Sequence, residues 1–257
     1  MHESDLTPSE IRDALRENES PSRAGFSLRY FRCQKGEPGY GDRFFGNTVP
    51  FCRTLSKQAL RCEAWHWESA TGPKRIQGLI NSKWHEERLI ALLILCGLYA
   101  RADHASVRKQ VVDFYLKQAA RVDNWDLVDT SAGLILGRWL FETKGQGPHP
   151  LLTRMARNRK NKWIRRIAIV STQWMIRQGS TSEAIRIARI LLKDREDLIH
   201  KASGWMLREA GARDRTALLR FLSSYAGTMP RTMLRYSIEH FAPSERKIWL
   251  LQRDASK

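Results

Sequence analysis

The chain has 257 residues, 42% of them hydrophobic, with 44 Lys+Arg against 27 Asp+Glu and a formal net charge of +17. A chain of this size buries about three quarters of its extended surface on folding, enough for a sizeable core, which with its hydrophobic content argues against a disordered polypeptide. The excess of positive charge predicts a polyanionic partner, with nucleic acid ahead of an acidic membrane or an acidic protein.

In chain order, the first 20 residues are polar and acidic. They predict an N-terminal helix or a partly mobile arm over 1–24, with no secretory or transit signal. The stretch GEPGYGDRFFG over 36–46 carries four glycines in eleven residues and predicts an ordered loop. From about residue 54 the pattern is helical, as in Leu89, Leu92, Leu93 and Cys96 at i, i+3, i+4 and i+7. No stretch alternates with period two. The longest apolar run, Leu89 to Leu95, is about a third of the ~20 residues a membrane helix needs. A second Gly/Pro break, GQGPHP, ends at Pro150, and neither break is long enough to divide the chain, so one domain over 1–257 is expected. Cys33, Cys52, Cys62 and Cys96 form no CxxC pair and have no close histidine, which predicts no metal and a reduced, cytoplasmic setting (nucleoid-associated in a bacterium).

Charge is unevenly spread. Residues 1–150 carry a net +3, and residues 151–257 carry +14. A cluster such as Arg154, Arg157, Arg159, Lys160, Lys162, Arg165 and Arg166 repels itself unless a polyanion compensates it.

One segment type recurs: KWHEERLIALLIL from Lys83, NWDLVDTSAGLIL from Asn124, KWIRRIAIVSTQW from Lys162, DLIHKASGWMLRE from Asp197 and, more loosely, PRTMLRYSIEHF from Pro230. The spacing is that of paired-helix repeats of the HEAT or armadillo kind, and predicts an all-α, curved solenoid with a basic concave face. Equivalent positions then line that face: Glu87, Asp129, Arg166 and Lys201, preceded by Trp84, Trp125 and Trp163, with Trp205 one turn after Lys201. Trp125 and Asp129 share a helix face at i and i+4.

The blocks N-W-D-L-V-D, W-I-R-R-I-A, K-A-S-G-W-M-L-R-E and M-P-R-T-M-L-R-Y, preceded by P-G-Y-G-D-R-F-F-G, resemble in order and spacing the AlkD-type DNA alkylation repair glycosylases. The resemblance extends over about residues 25–250. It implies a cofactor-free, metal-independent enzyme that hydrolyses the N-glycosidic bond of N3- or N7-alkylated purines in double-stranded DNA, with the damaged base left stacked. It implies that Asp129 is the catalytic carboxylate, with Trp125 as companion and Trp205 flanking the lesion's sugar and backbone. Arg166 corresponds to a phosphate contact near the lesion, and Tyr30 or Tyr40 to an N-terminal tyrosine. With Arg165, Lys201, Arg208, Arg231 and Arg235, these make up the expected DNA-binding set of a monomer with no obligate protein partner. Asp197 and Leu198 stand where some relatives carry two aromatic residues.

The chemistry is coherent. A cationic alkylpurine is already a good leaving group, and one carboxylate beside the sugar stabilises the oxocarbenium-like transition state. Asp129 reads alternatively as a structural ion-pair partner of Arg166, and Arg231 and Arg235 as a solvated helix face. A non-catalytic HEAT-like scaffold on nucleic-acid backbone is the competing function. No D-x-D or E-x-K cluster supports a nuclease.

Overall fold

The computed structural model describes residues 6–37 and 39–252. Pro38, which opens the P-G-Y-G-D-R-F-F-G block, and the first five residues of the N-terminal arm lie outside the described residues. Two compact units form, the first ending at Ser131 and the second starting at Ala132. Among the described residues there is no strand, only an isolated bridge between Arg43 and Trp84. The all-α expectation therefore holds.

The first unit contains α1 Pro8–Glu17, α2 Pro21–Tyr30, α3 Val49–Ala59, α4 Gly72–Ile80, α5 His85–Arg101, α6 Ala105–Lys117 and α7 Trp125–Ser131. Helices thus start well before residue 54, because capping fixes them locally. Thr7 and Glu10 form a capping box with proline following at N1, so α1 begins where an orphan N–H is already absent. Thr48 accepts from Phe51 N at the start of α3, again with proline in the first turn.

The expected loop after α2 is irregular to Thr48. Gly46 sits there at φ +83°, and a Cβ on it would lie 2.3 Å from Ser20 O and 2.6 Å from Ala24 N. Only glycine allows the loop to pass this close to the first turn of α2.

The second unit opens with a π-helical turn, Gly133–Gly137, followed by α8 Arg138–Lys144, α9 Pro150–Ala156, α10 Lys162–Arg177, α11 Ser182–Ile190, α12 Asp197–Arg213, α13 Arg215–Tyr225, α14 Arg231–Ser237 and α15 Pro243–Leu251. α10 packs on α12 and α12 on α14, while α9 pairs with α10 and with α11, and α11 with α12. This is a stack of helix pairs. The five recurring segments correspond to the starts of α5, α7, α10, α12 and α14 within two residues. Each recurring segment therefore marks the start of a helix.

α5 is the centre of the first unit, packing against α1, α3, α4, α6 and α7. Its residues from His85 through Leu95 are all buried, as expected of a helix covered on every side. The first turn buries charge as well as hydrocarbon. Glu86 accepts the backbone N–H groups of Phe45 (3.2 Å), Gly46 (2.8 Å) and Asn47 (3.2 Å), closing the loop onto the helix. Glu87 takes a two-pronged pair from Arg12 of α1, at 2.6 and 2.9 Å. Placing Glu87 in a solvent-facing charged row is thus corrected: its side chain is fully covered, and the guanidinium that satisfies it comes from 75 residues upstream.

The glycine of K-A-S-G-W has a packing reason. A Cβ on Gly204 would lie 2.5 Å from Tyr236 Cβ and 2.6 Å from Met233 O, so α12 and α14 touch almost backbone to backbone. Gly204→Ala should destabilise the protein by about 1–3 kcal/mol through overpacking. Gly78→Ala, on an exposed position of α4 with nothing within 4 Å, should be neutral or stabilising by up to about 1 kcal/mol. Urea midpoints of the two variants, compared with wild type, test the contrast.

Candidate active site

α7 carries Trp125 and Asp129 one turn apart, both part-exposed. Asn124 prepares its start, with Oδ1 accepting from Trp125 N at 2.8 Å. Asp126 Oδ1 accepts from Leu127 N at 2.8 Å, giving the helix an acidic first turn.

Trp125 lies on an aromatic cluster. Its ring stacks on Phe31 (centroids 5.3 Å, 26°), and Phe31 stacks on Phe44 (5.2 Å, 10°). Tyr30 meets Trp125 edge-on at 5.8 Å and is itself stacked on Phe26 at 5.6 Å. Phe26 and Tyr30 are 59% and 58% exposed, an unusual outlay of aromatic surface beside Arg23, Arg29 and Arg32. Tyr30 is thus the tyrosine brought to Trp125, while Tyr40 stands exposed in the loop.

Beneath this cluster is a polar network that the sequence did not signal. His85 Nε2 is 2.7 Å from Asp126 Oδ2, and its Nδ1 is 3.2 Å from Asp42 Oδ2. Asp42 also receives Arg88 Nη2 at 2.5 Å and Asn124 Nδ2 at 3.3 Å. Arg88 donates further to Ser82 O at 3.0 Å and lies 3.4 Å from Asp123. Burial disfavours the His85 cation, but the Asp126 charge and the hydrogen bonds to Asp126 and Asp42 outweigh it and raise its pKa to about 9. Burial likewise opposes ionisation of Asp42, yet the His85 hydrogen bond and the Arg88 charge hold it below the usual carboxylate range. The sequence clues were slight: the aspartate of G-D-R-F and a single histidine heading a recurring segment.

In the second unit the expected phosphate contacts differ in availability. Arg231 and Arg235 are exposed, and Arg231 Nη2 donates to Leu250 O at 2.6 Å. Lys201 pairs with Asp197 at 3.0 Å. Arg165 is committed to Asp194, at 2.6 Å through Nε and 3.2 Å through Nη2. Arg208 bonds Glu209 and Glu239, and Glu209 also accepts Trp205 Nε1 at 3.2 Å. Arg166 is buried and donates to Leu198 O at 2.5 Å. Trp163 is buried too, so its place in a surface row of tryptophans is corrected: it faces the core and is capped by Lys162 Nζ, 5.3 Å from the ring centroid. Arg154, Arg157, Arg159 and Lys160 are exposed and concentrate positive charge around the end of α9.

Among the described residues no group of three or more His, Cys, Asp or Glu is placed to hold a metal ion, and no helix is long and apolar enough to cross a membrane.

The His85 pKa has a consequence for stability. It is raised above the unfolded value of 6.5, so the stabilisation is fully present below about pH 6.5 and is lost as pH rises to about 9. The melting temperature should fall across that interval in wild type and stay flatter in His85→Gln, as measured by thermal denaturation at fixed ionic strength.

The family described as "DNA alkylation repair enzyme" matches residues 11–241. A solved structure titled "Predicted DNA alkylation repair enzyme from Enterococcus faecalis" is similar at a TM-score of 0.67 and 17% identity, over 88% of this chain and 97% of that one, which shows a shared fold. The crystal structure of smu.31 from Streptococcus mutans UA159 is similar at a TM-score of 0.47 and 12% identity, over 96% and 99% of the two chains. No curated protein matches the sequence. With the family match extending over nearly all of the chain, the protein belongs to the DNA alkylation repair enzyme family and has a role in DNA repair.

Proposed function

We propose that the protein is a DNA glycosylase that releases cationic N3- or N7-alkylated purines from double-stranded DNA. The observation that carries this reading is Asp129, a part-exposed carboxylate one turn beyond a Trp125 that is packed from behind by Phe31 and edged by an exposed tyrosine. In a chain of net charge +17, a carboxylate at such a place favours a cation developing beside it.

In the reaction the bond between C1′ and the base nitrogen breaks, and its electron pair neutralises the departing base. Water supplies oxygen to C1′ and loses a proton. Asp129 stabilises the oxocarbenium-like sugar and orients or deprotonates that water, and the Trp125 face favours the electron-poor sugar edge. Because the base leaves without protonation, no second acid is required. In the proposal Trp205 flanks the sugar and backbone. Tyr30, Arg165, Arg166, Lys201, Arg208, Arg231 and Arg235 contact DNA, positioning the duplex without reading its sequence. Of these, Arg235 is exposed, Arg231 first releases Leu250 O and the buried Arg166 first releases Leu198 O, whereas Arg165, Lys201 and Arg208 exchange an acidic partner for a phosphate. Catalysis is proposed to need no metal or cofactor, in a cytoplasmic monomer.

The competing reading, a non-catalytic scaffold on nucleic-acid backbone, accounts for the charge and leaves Asp129 a purely structural role as an ion-pair partner, so the two readings part on what the loss of its charge does to base release. Asp129→Asn should lower single-turnover release of N7-methylguanine by about 10²–10³ while leaving duplex affinity nearly intact. A stable Asn variant that excises at the wild-type rate ends the catalytic assignment. Binding that neutralises six to ten phosphates should weaken by about 10³–10⁵ between 50 and 200 mM salt. Arg231→Ala and Arg235→Ala should each reduce that slope by about one, irrespective of base sequence, as read by fluorescence anisotropy.

A further inference from the structure

Trp125 and Asp126 open α7, and the direction of that helix start is set by the contacts that hold it. At its N-terminal end the hold is specific. Asp126 is bound by His85 from α5, and Trp125, the preceding residue, is stacked on Phe31. His85 is connected to that ring too: its imidazole lies 5.0 Å from Phe31 and 4.7 Å from Phe44, tilted by 32° and 26°. One side chain, 2% exposed, therefore supports both of the first two residues of α7.

The bridge depends on a proton count. His85 faces a carboxylate at each ring nitrogen, and both contacts are donations only if both nitrogens carry hydrogen. A neutral ring would turn a lone pair toward either Asp42 or Asp126. Asp42 has other donors in Arg88 and Asn124, whereas Asp126 Oδ2 has His85. Loss of the proton is thus felt most on the α7 side.

We propose that the Asp42–His85–Asp126 bridge is a positioning device for excision: it fixes the start of α7 and so aims Trp125 and Asp129, with His85 acting through Asp126 and Phe31 rather than on the substrate. The inference rests on the glycosylase reading above. The charged groups around His85 are Asp42 from the loop before α3, Asp126 from α7, and Glu86 and Arg88 from α5, with Asp123 beyond Arg88. Together they favour the cation, in keeping with a pKa of about 9. A misdirected carboxylate costs rate far more than binding, since a displacement of about 1 Å can cost about 10²-fold.

The test measures single-turnover release of N7-methylguanine, duplex affinity and melting temperature from about pH 7 to about pH 10, with enzyme-free controls. It compares wild type, His85→Gln and Asp126→Asn. The wild-type rate is expected to fall about tenfold or more as pH passes about 9, with affinity changing less than about threefold and melting still well above the assay temperature. Both variants are expected to be about 10–100-fold slower at pH 7, with the alkaline fall abolished in His85→Gln. A wild-type rate that is flat through pH 9, or variants whose rate falls only in step with affinity or melting, overturns the proposal.

Near-ultraviolet circular dichroism of the free wild-type protein provides a readout independent of activity and of variant folding. Tryptophan ellipticity should change with a midpoint near the His85 pKa, and its absence overturns the bridge even where no variant folds. Wild-type protein that releases no base refutes the glycosylase reading instead, and the dichroism titration then still decides whether His85 holds Trp125.

Discussion

The first turn of α5 is the constraint from which the rest of the first unit follows. Four consecutive ionisable residues, His85, Glu86, Glu87 and Arg88, are each at most 3% exposed. Removing four such groups from water costs several kcal/mol apiece unless partners replace the solvent, and here the partners come from several parts of the chain, with Asp42 shared between two of them. Asp42 and Asp126 take His85, the loop amides take Glu86, Arg12 takes Glu87, and Asp42 with Ser82 O takes Arg88. A hydrophobic helix start would pack against α1, α7 and the loop in many ways. Charges with fixed partners accept one, so this turn sets where α1, the G-D-R-F loop and α7 lie.

Much of the architecture was legible because it rests on local patterns. The recurring segments mark real helix starts, the Gly-rich stretch is a loop, and the absence of period-two alternation agrees with a fold without strands among the described residues. What stayed hidden is which face later packing covers. Register alone put Glu87, Arg166 and Trp163 in one row with Asp129 and Trp125, but register does not reveal that Arg12 reaches Glu87 or that Leu198 O receives Arg166. His85 was unremarkable as a letter between a tryptophan and two glutamates. Its meaning comes from Asp42, 43 residues away, and Asp126, 41 residues away.

The second unit shows a similar gap between formal charge and available charge. Part of its basic character is internally matched: Arg165 by Asp194, Lys162 by Glu196, Arg186 by Glu183, Arg208 by Glu209 and Glu239. Exposed basic residues, among them Arg154, Arg157, Arg159, Lys160, Arg231 and Arg235, dominate the field that a polyanion meets at long range. In the proposed function, a paired arginine serves a phosphate only after leaving its carboxylate, so encounter and close engagement would draw on different residues.

α2 stands apart from every other element around Trp125 in having no buried residue, although it presents Tyr30 to that tryptophan. Apolar burial is what raises the free energy of opening a segment, so α2 belongs to the low-stability end of the molecule while α5 belongs to the high end. Its backbone amides should exchange with solvent through frequent local openings that leave the α5 amides protected. The tyrosine can then be withdrawn and restored by fraying ten residues, at a small fraction of the energy of unfolding the unit, and α7 behind it stays anchored while this happens.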